Sequence, residues 1–342
     1  MEACLAGEYV RHRHGADAYL GLLWRTPATC MLGRNQIAER ELDFDRLAAS
    51  RIALVRRPSG GGTIYTDPGC VQYSFLQPFR LGDDRDRARG RMLRPLLAAL
   101  QNLQLPVETC GRNDLEACGH KVAGFAEYVS DGVLCTHCSI LMDADLTALG
   151  GVLRPDPDKY RSKALPSVRA RVANLLDIAA ERGVLIARGR FFDELAEALR
   201  AQLECDPELQ PLREVQLQPG DHACIEQQAG LVWGSDEWTR GRTPPFDFEH
   251  SRRFPAGRLT VQACVRQGRI AEIALRGDFL SLRPTEELEA ALRGVDWSVA
   301  AVMGAVEAFA AGDVTPWLGG LGAGELVDVL FGKDRDDATD AA

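Results

Sequence analysis

Apolar residues recur along this chain at helical spacing in some stretches and alternate in others. From Arg85 to Leu103, leucines and Met92 return at helical spacing and predict a helix, with a kink or break expected at Pro95. Phe191 to Leu203 predicts a second, amphipathic helix whose Leu195 and Leu199 belong in a core. Ile52 to Val55 is a short apolar strand candidate, and Cys135 to Met142 also reads as a strand. Strand alternation sends Cys135 and His137 to one face and Cys138 to the other. Leu259 to Val265 and Arg269 to Leu275 alternate as two strands across a Gln267-Gly268 turn. Helices are expected over Thr285 to Leu292, Ser298 to Ala310 and Ala323 to Leu330. Arg240 to Pro245 is rich in chain breakers, and the charged or small residues Lys333 to Ala342 are expected to be disordered. No internal repeat is visible.

Composition narrows the class of protein. At 342 residues and 46% hydrophobic content, the chain can bury substantial cores and is expected to form two domains. No apolar run approaches a membrane span, and Met1 to Arg13 lacks a signal-peptide apolar region. Ten cysteines are scattered without a compact repeating spacing, which suits reduced cytosolic thiols. A net charge of −9 argues against general nucleic-acid binding. Cys135-Thr136-His137-Cys138 invites a zinc reading, with Cys110, Cys118 and His120 as further ligands. The spacing lacks a clean second pair, so buried or inert thiols are the better reading.

Two segments carry candidate chemistry. Residues 56–75 place Arg56, Arg57 and Ser59 beside three consecutive glycines, Gly60, Gly61 and Gly62, with a β-branched and aromatic run after them. Glycine lets a backbone bend sharply and approach a ligand closely. Such a loop between strands suits a carboxylate or phosphate, although a glycine-rich hairpin turn has the same composition. Residues 111–127 place Lys121 between a turn at Cys118 to His120 and the small-residue stretch Val122 to Ala126. Asn113 and Asp114 precede it as a hairpin partner strand would.

In this order the segments resemble the lipoate–protein ligase A family. The matching pieces are Gly33-Arg34-Asn35-Gln36, the Arg-Arg-x-Ser-Gly-Gly-Gly loop, Gly111-Arg112-Asn113-Asp114, Lys121-Val122-Ala123-Gly124, His137 and Ser167-Val168-Arg169-Ala170-Arg171-Val172. Later come Trp233, Gly241-Arg242-Thr243-Pro244-Pro245-Phe246 and Arg253-Phe254-Pro255, like the entry to that family's small C-terminal domain. The resemblance covers nearly the whole chain. It implies an α+β fold: a large catalytic domain over residues 1–243, with a mixed β-sheet like that of biotin protein ligases and a class II synthetase-like fold. A small α+β accessory domain over 247–332 and the tail 333–342 follow.

The resemblance also implies the chemistry. Lipoate is activated by ATP to lipoyl-adenylate, and the lipoyl group then passes to a lysine of an acceptor protein. Lys121 is the expected catalytic residue, between the acyl carboxylate and the α-phosphate. Arg57 and Ser59 are expected to meet the carboxylate or phosphates, and Gly60, Gly61 and Gly62 to give close backbone approach. Thr63, Ile64 and Tyr65 are expected to line the nucleotide and acyl groove. Asn113 and Asp114 are the magnesium or phosphate-side groups, with Asp114 the Mg²⁺ candidate. Ala126 is expected under the acyl chain and His137 near the nucleotide–acyl site. Implied partners are lipoyl-domain proteins, namely 2-oxoacid dehydrogenase E2 subunits and the glycine cleavage H protein, met by a cytoplasmic monomer.

Three residues depart from the family's pattern: Thr66 in place of a common histidine, Cys70 in place of asparagine, and Tyr128 where some members carry an arginine. Cys70, with Cys110 and Cys138, keeps open an ATP-independent octanoyltransferase with a cysteine nucleophile. A lipoate-binding protein without turnover is a third reading. A biotin ligase is disfavoured, because its Gly-Arg-Gly-Arg motif is absent. Lys159, Arg161, Lys163, Arg169 and Arg171 form a basic stretch suited to steering an acidic acceptor or clamping the adenylate phosphate. Arg240 to Pro245 is the hinge candidate.

Overall fold

The computed structural model describes residues 18–154, 172–241 and 246–332. The basic stretch, most of the Ser167 to Val172 motif, Arg242 to Pro245 and the C-terminal tail lie outside the described residues. The chain divides into two compact units, each assembled from more than one stretch of sequence. The first holds the described residues of Met1–Met31, Glu41–Val55 and Ile64–Thr239. The second holds those of Leu32–Arg40, Arg56–Thr63 and Arg240–Ala342.

The first unit is built on a six-stranded sheet. Its strands are β1 (Leu20–Trp24), β5 (Cys70–Pro78), β6 (Val107–Cys110), β7 (Asp114–Ala117), β8 (His120–Ser130) and β9 (Val133–Leu141), in the order β1-β5-β9-β8-β7-β6. Every pairing in it is antiparallel. The turns show why. Cys118 and Gly119 have φ of +52° and +78°, and Asp131 and Gly132 have +48° and +74°. Two successive positive φ values make the tight hairpin turns that match the twist of antiparallel strands.

A smaller sheet joins β2 (Thr29–Leu32), β3 (Ala53–Arg56) and β4 (Ile64–Thr66) in the order β3-β2-β4. β4 runs antiparallel to β2. β3 runs parallel to it, because Ala53 N–H donates to the Ala28 carbonyl and Arg57 N–H to the Leu32 carbonyl. The mixed pairing expected from the resemblance is therefore found in the small sheet, while the large one is purely antiparallel.

One face of the large sheet buries Tyr73, Phe75, Phe125, Cys138 and Ile140 against the helices Arg85–Asn102 and Phe191–Cys205. Leu195 and Leu199 enter this core, at 0% and 4% exposure. The first helix is capped by Asp84, whose carboxylate accepts from Arg87 N–H at 2.9 Å. Of the kink or break expected at Pro95, the break does not occur: one helix runs through it. An interior proline costs about 3 kcal/mol. Met92, Leu93, Leu96 and Leu100 flank it in the core, each contributing about 1.5–3 kcal/mol by burial, so packing outweighs the missing bond.

In the second unit, β10 (Phe248–Phe254), β11 (Gly257–Arg266) and β12 (Arg269–Gly277) form an antiparallel sheet in sequential order. Gln267 and Gly268 make its predicted turn, with φ of +53° and +73°. Helices Thr285–Leu292, Val299–Ala308 and Ala323–Leu330 cover the sheet around Leu259, Val261, Leu275, Leu288, Val302 and Leu326. The middle helix ends two residues before the expected Ala310, which has φ of +50°.

Candidate functional site

A β-bulge sets the direction of Lys121. Along β7 and β8, Leu115 pairs with Ala123, but Glu116 pairs with Lys121, so Val122 is an extra residue. Val122 and Ala123 both enter the core. Regular alternation would have put Lys121 on the same core face as Ala123 and Phe125. The extra residue turns it to the opposite face, the known use of a bulge to re-aim a side chain. There Lys121 Nζ lies 2.6 Å from Asp114 Oδ1, with both side chains about one-third exposed, at 38% and 35%.

Gly124 makes room for this arrangement. A Cβ at Gly124 would lie 3.2 Å from Lys121 Nζ and 3.3 Å from its Cε. Asn113 locks the turn: its Nδ2 donates to the Phe125 carbonyl at 3.1 Å, and Phe125 N–H donates to the Asn113 carbonyl at 2.8 Å. Asn113 thus holds the strand that carries Asp114, which pairs with the Lys121 strand as a hairpin partner.

The same face continues in cross-strand rows. Gly124 is opposite Ser139, which is opposite Gln72, which is opposite Trp24. In the next row Ala126 faces His137, then Ser74 and Leu22. Gln72 Nε2 donates to Ser139 Oγ, and Trp24 Nε1 donates to Ser74 Oγ, both at 3.0 Å. Leu22 also packs with Ile225 and Trp233, whose elements the sequence reading did not identify. Lys121, Asp114, Ala126 and His137 are therefore brought onto one face. Gly124, Trp24, Gln72 and Ser139 join them unforeseen. The signal for Gly124 was its place in the Lys-Val-Ala-Gly motif, whereas Trp24, Gln72 and Ser139 carry no local signal.

Ile64 and Tyr65 lie on β4 of the first unit, where Ile64 pairs with Met31 and Tyr65 with Cys30. Burial, followed by the charges of Asp67 and Asp145, pushes the Tyr65 phenol up to about 12. Its hydroxyl thus stays protonated and able to donate.

Arg57, Ser59, Gly60, Gly61, Gly62 and Thr63 belong to the second unit. Arg57 turns into its own loop. Its Nε donates to Ser59 Oγ at 3.1 Å, and an Nη donates to the carbonyls of Gly60 and Gly62 at 2.8 and 2.7 Å. Burial, with the neighbouring Arg56 charge, lowers the Arg57 guanidinium to about 10, which leaves it charged at neutral pH. Gly61 N–H donates to the Phe279 carbonyl at 3.0 Å. A Cβ at Gly60 would lie 2.4 Å from the Phe279 oxygen and 2.8 Å from Ser281 N. The close approach that glycine permits here is to the protein's own backbone. Thr63 Oγ1 donates to Gln36 Oε1 at 3.1 Å. Arg56, unassigned from sequence, donates to the carbonyls of Gly33, Arg34 and Gln36 at 2.9, 2.9 and 2.7 Å.

None of the three thiols singled out from the sequence is activated. Burial pushes Cys70 and Cys138 up to about 12. A hydrogen bond with Glu116, aided by desolvation, raises Cys110. A cysteine nucleophile needs the opposite shift. Among the described residues, no group of three or more His, Cys, Asp or Glu side chains is arranged to hold a metal ion. No helix there is long and apolar enough to cross a membrane.

Residues 5–203 match the family described as lipoyl protein ligase A/B catalytic domain, and residues 243–330 match bacterial lipoate protein ligase C-terminus. The chain is 30% identical over 303 residues to a lipoate–protein ligase of Streptococcus pyogenes serotype M5 (strain Manfredo), covering 88% of this chain and 86% of that protein. The fold is shared with P. falciparum LipL1 in complex with lipoate, at a TM-score of 0.71 and 20% identity, covering 90% of this chain and 91% of that one. A structure of the bi-partite lipoate protein ligase and its E2 lipoyl domain from Thermoplasma acidophilum aligns at a TM-score of 0.58 and 25% identity, over 72% of this chain and 94% of the other. With its catalytic-domain pattern spanning more than half the chain and the C-terminal pattern following it, the protein belongs to the lipoyl protein ligase A/B family, in the form with a bacterial lipoate protein ligase C-terminus.

Proposed function

We propose that the chain is an ATP-dependent lipoate–protein ligase that works on the Lys121 face of its large sheet. The observation that supports this is the Lys121–Asp114 pair held over Gly124, on the sheet face that also carries Ala126 and His137. In the first half-reaction, a lipoate carboxylate oxygen bonds to the α-phosphorus of ATP and pyrophosphate leaves. In the second, the ε-amino group of an acceptor lysine attacks the lipoyl carbonyl carbon. An amide forms, AMP leaves, and the amine proton passes to solvent.

Both substrates of the first step are anions, and charge grows on the α-phosphate as the bond forms. A fixed cation at that point stabilises the transition state more than the separated substrates. Lys121 supplies it, and Asp114 holds Lys121 in place before substrate arrives. Any Mg²⁺ would be held by Asp114 together with the substrate's phosphates, as that ion usually is, and would neutralise phosphate charge. Arg57 acts through the loop it holds together. The acceptors are lipoyl-domain proteins, of which E2 subunits and the glycine cleavage H protein are the expected ones. A cytoplasmic monomer would meet both ATP and such acceptors.

The test is ATP–pyrophosphate exchange with lipoate, octanoate and biotin, with Lys121→Ala alongside. Lipoate-dependent exchange should fall about 10²–10³-fold in the variant. Absence of exchange with every acid, together with acyl transfer from an octanoyl carrier protein, would replace the ligase reading with the transferase one.

A further inference from the structure

Along β8 the side chains on the Lys121 face grow in one direction. Gly124 contributes none, Ala126 a methyl group and Tyr128 a ring. Tyr128 is buried in a small apolar cluster of its own with Leu20, Leu22, Leu76, Val133 and Cys135. Cross-strand pairing builds this cluster: Tyr128 is opposite Cys135, which is opposite Leu76, which is opposite Leu20. The Tyr128 ring also lies 6.2 Å from that of His137, tilted by 51°. The face therefore starts at a charged head and ends at an apolar wall four strands wide.

We propose that Tyr128, backed by this wall, is the end-stop of the acyl groove and sets the longest acid the enzyme accepts. The proposal rests on the ligase reading. At about 3.4 Å of rise per residue, Tyr128 stands roughly 13 Å along the strand from Gly124, over which Lys121 Nζ lies. An aromatic ring at contact distance takes up about 4 Å of that length, which leaves roughly 9–10 Å. A staggered eight-carbon acid with bonds of about 1.5 Å spans roughly 9 Å from carboxyl carbon to last carbon. Octanoate and lipoate fit this space, and chains of ten or twelve carbons overrun it.

The experiment measures pyrophosphate exchange with saturated acids of six, eight, ten and twelve carbons, and with lipoate. The wild-type enzyme, Tyr128→Ala and Tyr128→Trp are compared. Calorimetric binding of the same acids, which needs no turnover, runs in parallel. The wild type should fall off sharply beyond eight carbons. Tyr128→Ala should raise the ratio of decanoate to octanoate kcat/KM about tenfold or more, the usual discrimination per methylene. Tyr128→Trp should move the optimum to six carbons, so the proposal stays testable if the alanine variant fails to fold. Binding that stops at eight carbons without any exchange would overturn the ligase reading and support the end-stop. Dodecanoate accepted as well as octanoate by the wild type would overturn the end-stop. So would an unchanged length profile in folded Tyr128→Ala and Tyr128→Trp.

Discussion

Gly124→Ala tests the active face with one added methyl group. The new Cβ would lie 3.2 Å from Lys121 Nζ, 3.3 Å from Lys121 Cε and 3.7 Å from Asp114 Oδ1. Comfortable contact needs about 3.5–4.0 Å, so the ammonium must retreat by roughly half an ångström. Nothing else in the fold objects. Gly124 does not have a positive φ. A glycine inside a strand carries an entropic penalty of about 0.5–1 kcal/mol that alanine relieves. Stability should therefore hold or rise slightly while chemistry falls. A misplacement of about 1 Å costs about 10²-fold, and half of that corresponds to roughly tenfold. The assay pairs thermal unfolding with lipoate-dependent pyrophosphate exchange. Exchange at the wild-type rate in a folded Gly124→Ala protein would refute the placement of Lys121 at the reacting centre. A fall in unfolding temperature that accounts for the lost activity would refute the claim that Gly124 serves the site.

Gly60→Ala should destabilise the second unit by about 1–3 kcal/mol, because its Cβ would meet the backbone of Phe279 and Ser281; Gly62→Ala, with nothing within 4 Å, should unfold like the wild type. Cys70→Ser, Cys110→Ser and Cys138→Ala should each keep pyrophosphate exchange, and loss of exchange in a folded variant would reopen nucleophilic catalysis. Burial pushes the Glu127 carboxyl up, but Arg89 and Arg85 outweigh it and hold the group below its ordinary value. Its contribution to stability is therefore present above about pH 4.5 and lost as pH falls through the folded-state value. Glu127→Gln should be less stable than the wild type in urea at pH 7, with the gap narrowing at pH 3; a gap independent of pH would contradict this. Lys159→Glu with Lys163→Glu should slow acceptor modification more at low salt and spare adenylate formation, as measured by the two half-reactions separately.

What the sequence made legible was local. Leu195 and Leu199 could be assigned to a core because helical spacing is written over four residues. The Cys118-Gly119 and Gln267-Gly268 turns declare themselves through their glycines, which take positive φ at no steric cost. β10 was missed because its Glu-His-Ser-Arg-Arg centre lacks alternation, as an edge strand can. The helix Pro219–Gln228 was missed because it has no clear apolar face. The candidate residues were found through motif order. Their geometry was not found, because it depends on one extra residue in β8 and on partners distant in sequence. Arg57 was assigned to the carboxylate or phosphates from its motif; that its guanidinium also closes its own loop depends on how the glycines fold back, which the motif does not spell out.

The packing of Gly60 and Gly61 on Phe279 also orders events at the ribosome. Residues 60 and 279 are far apart in synthesis as well as in sequence. At about 5–20 residues per second, Phe279 is made roughly ten to forty seconds after the glycines. Throughout that interval the signature loop has neither the carbonyl that receives Gly61 N–H nor the backbone on which Gly60 rests. The large sheet can begin to form during translation, because its hairpins close locally. The loop must wait for nearly the whole chain. A nascent or truncated product therefore carries the family's most recognisable motif in an unsupported form, open to proteases, and cleavage within residues 56–63 would report how much of the chain has been completed.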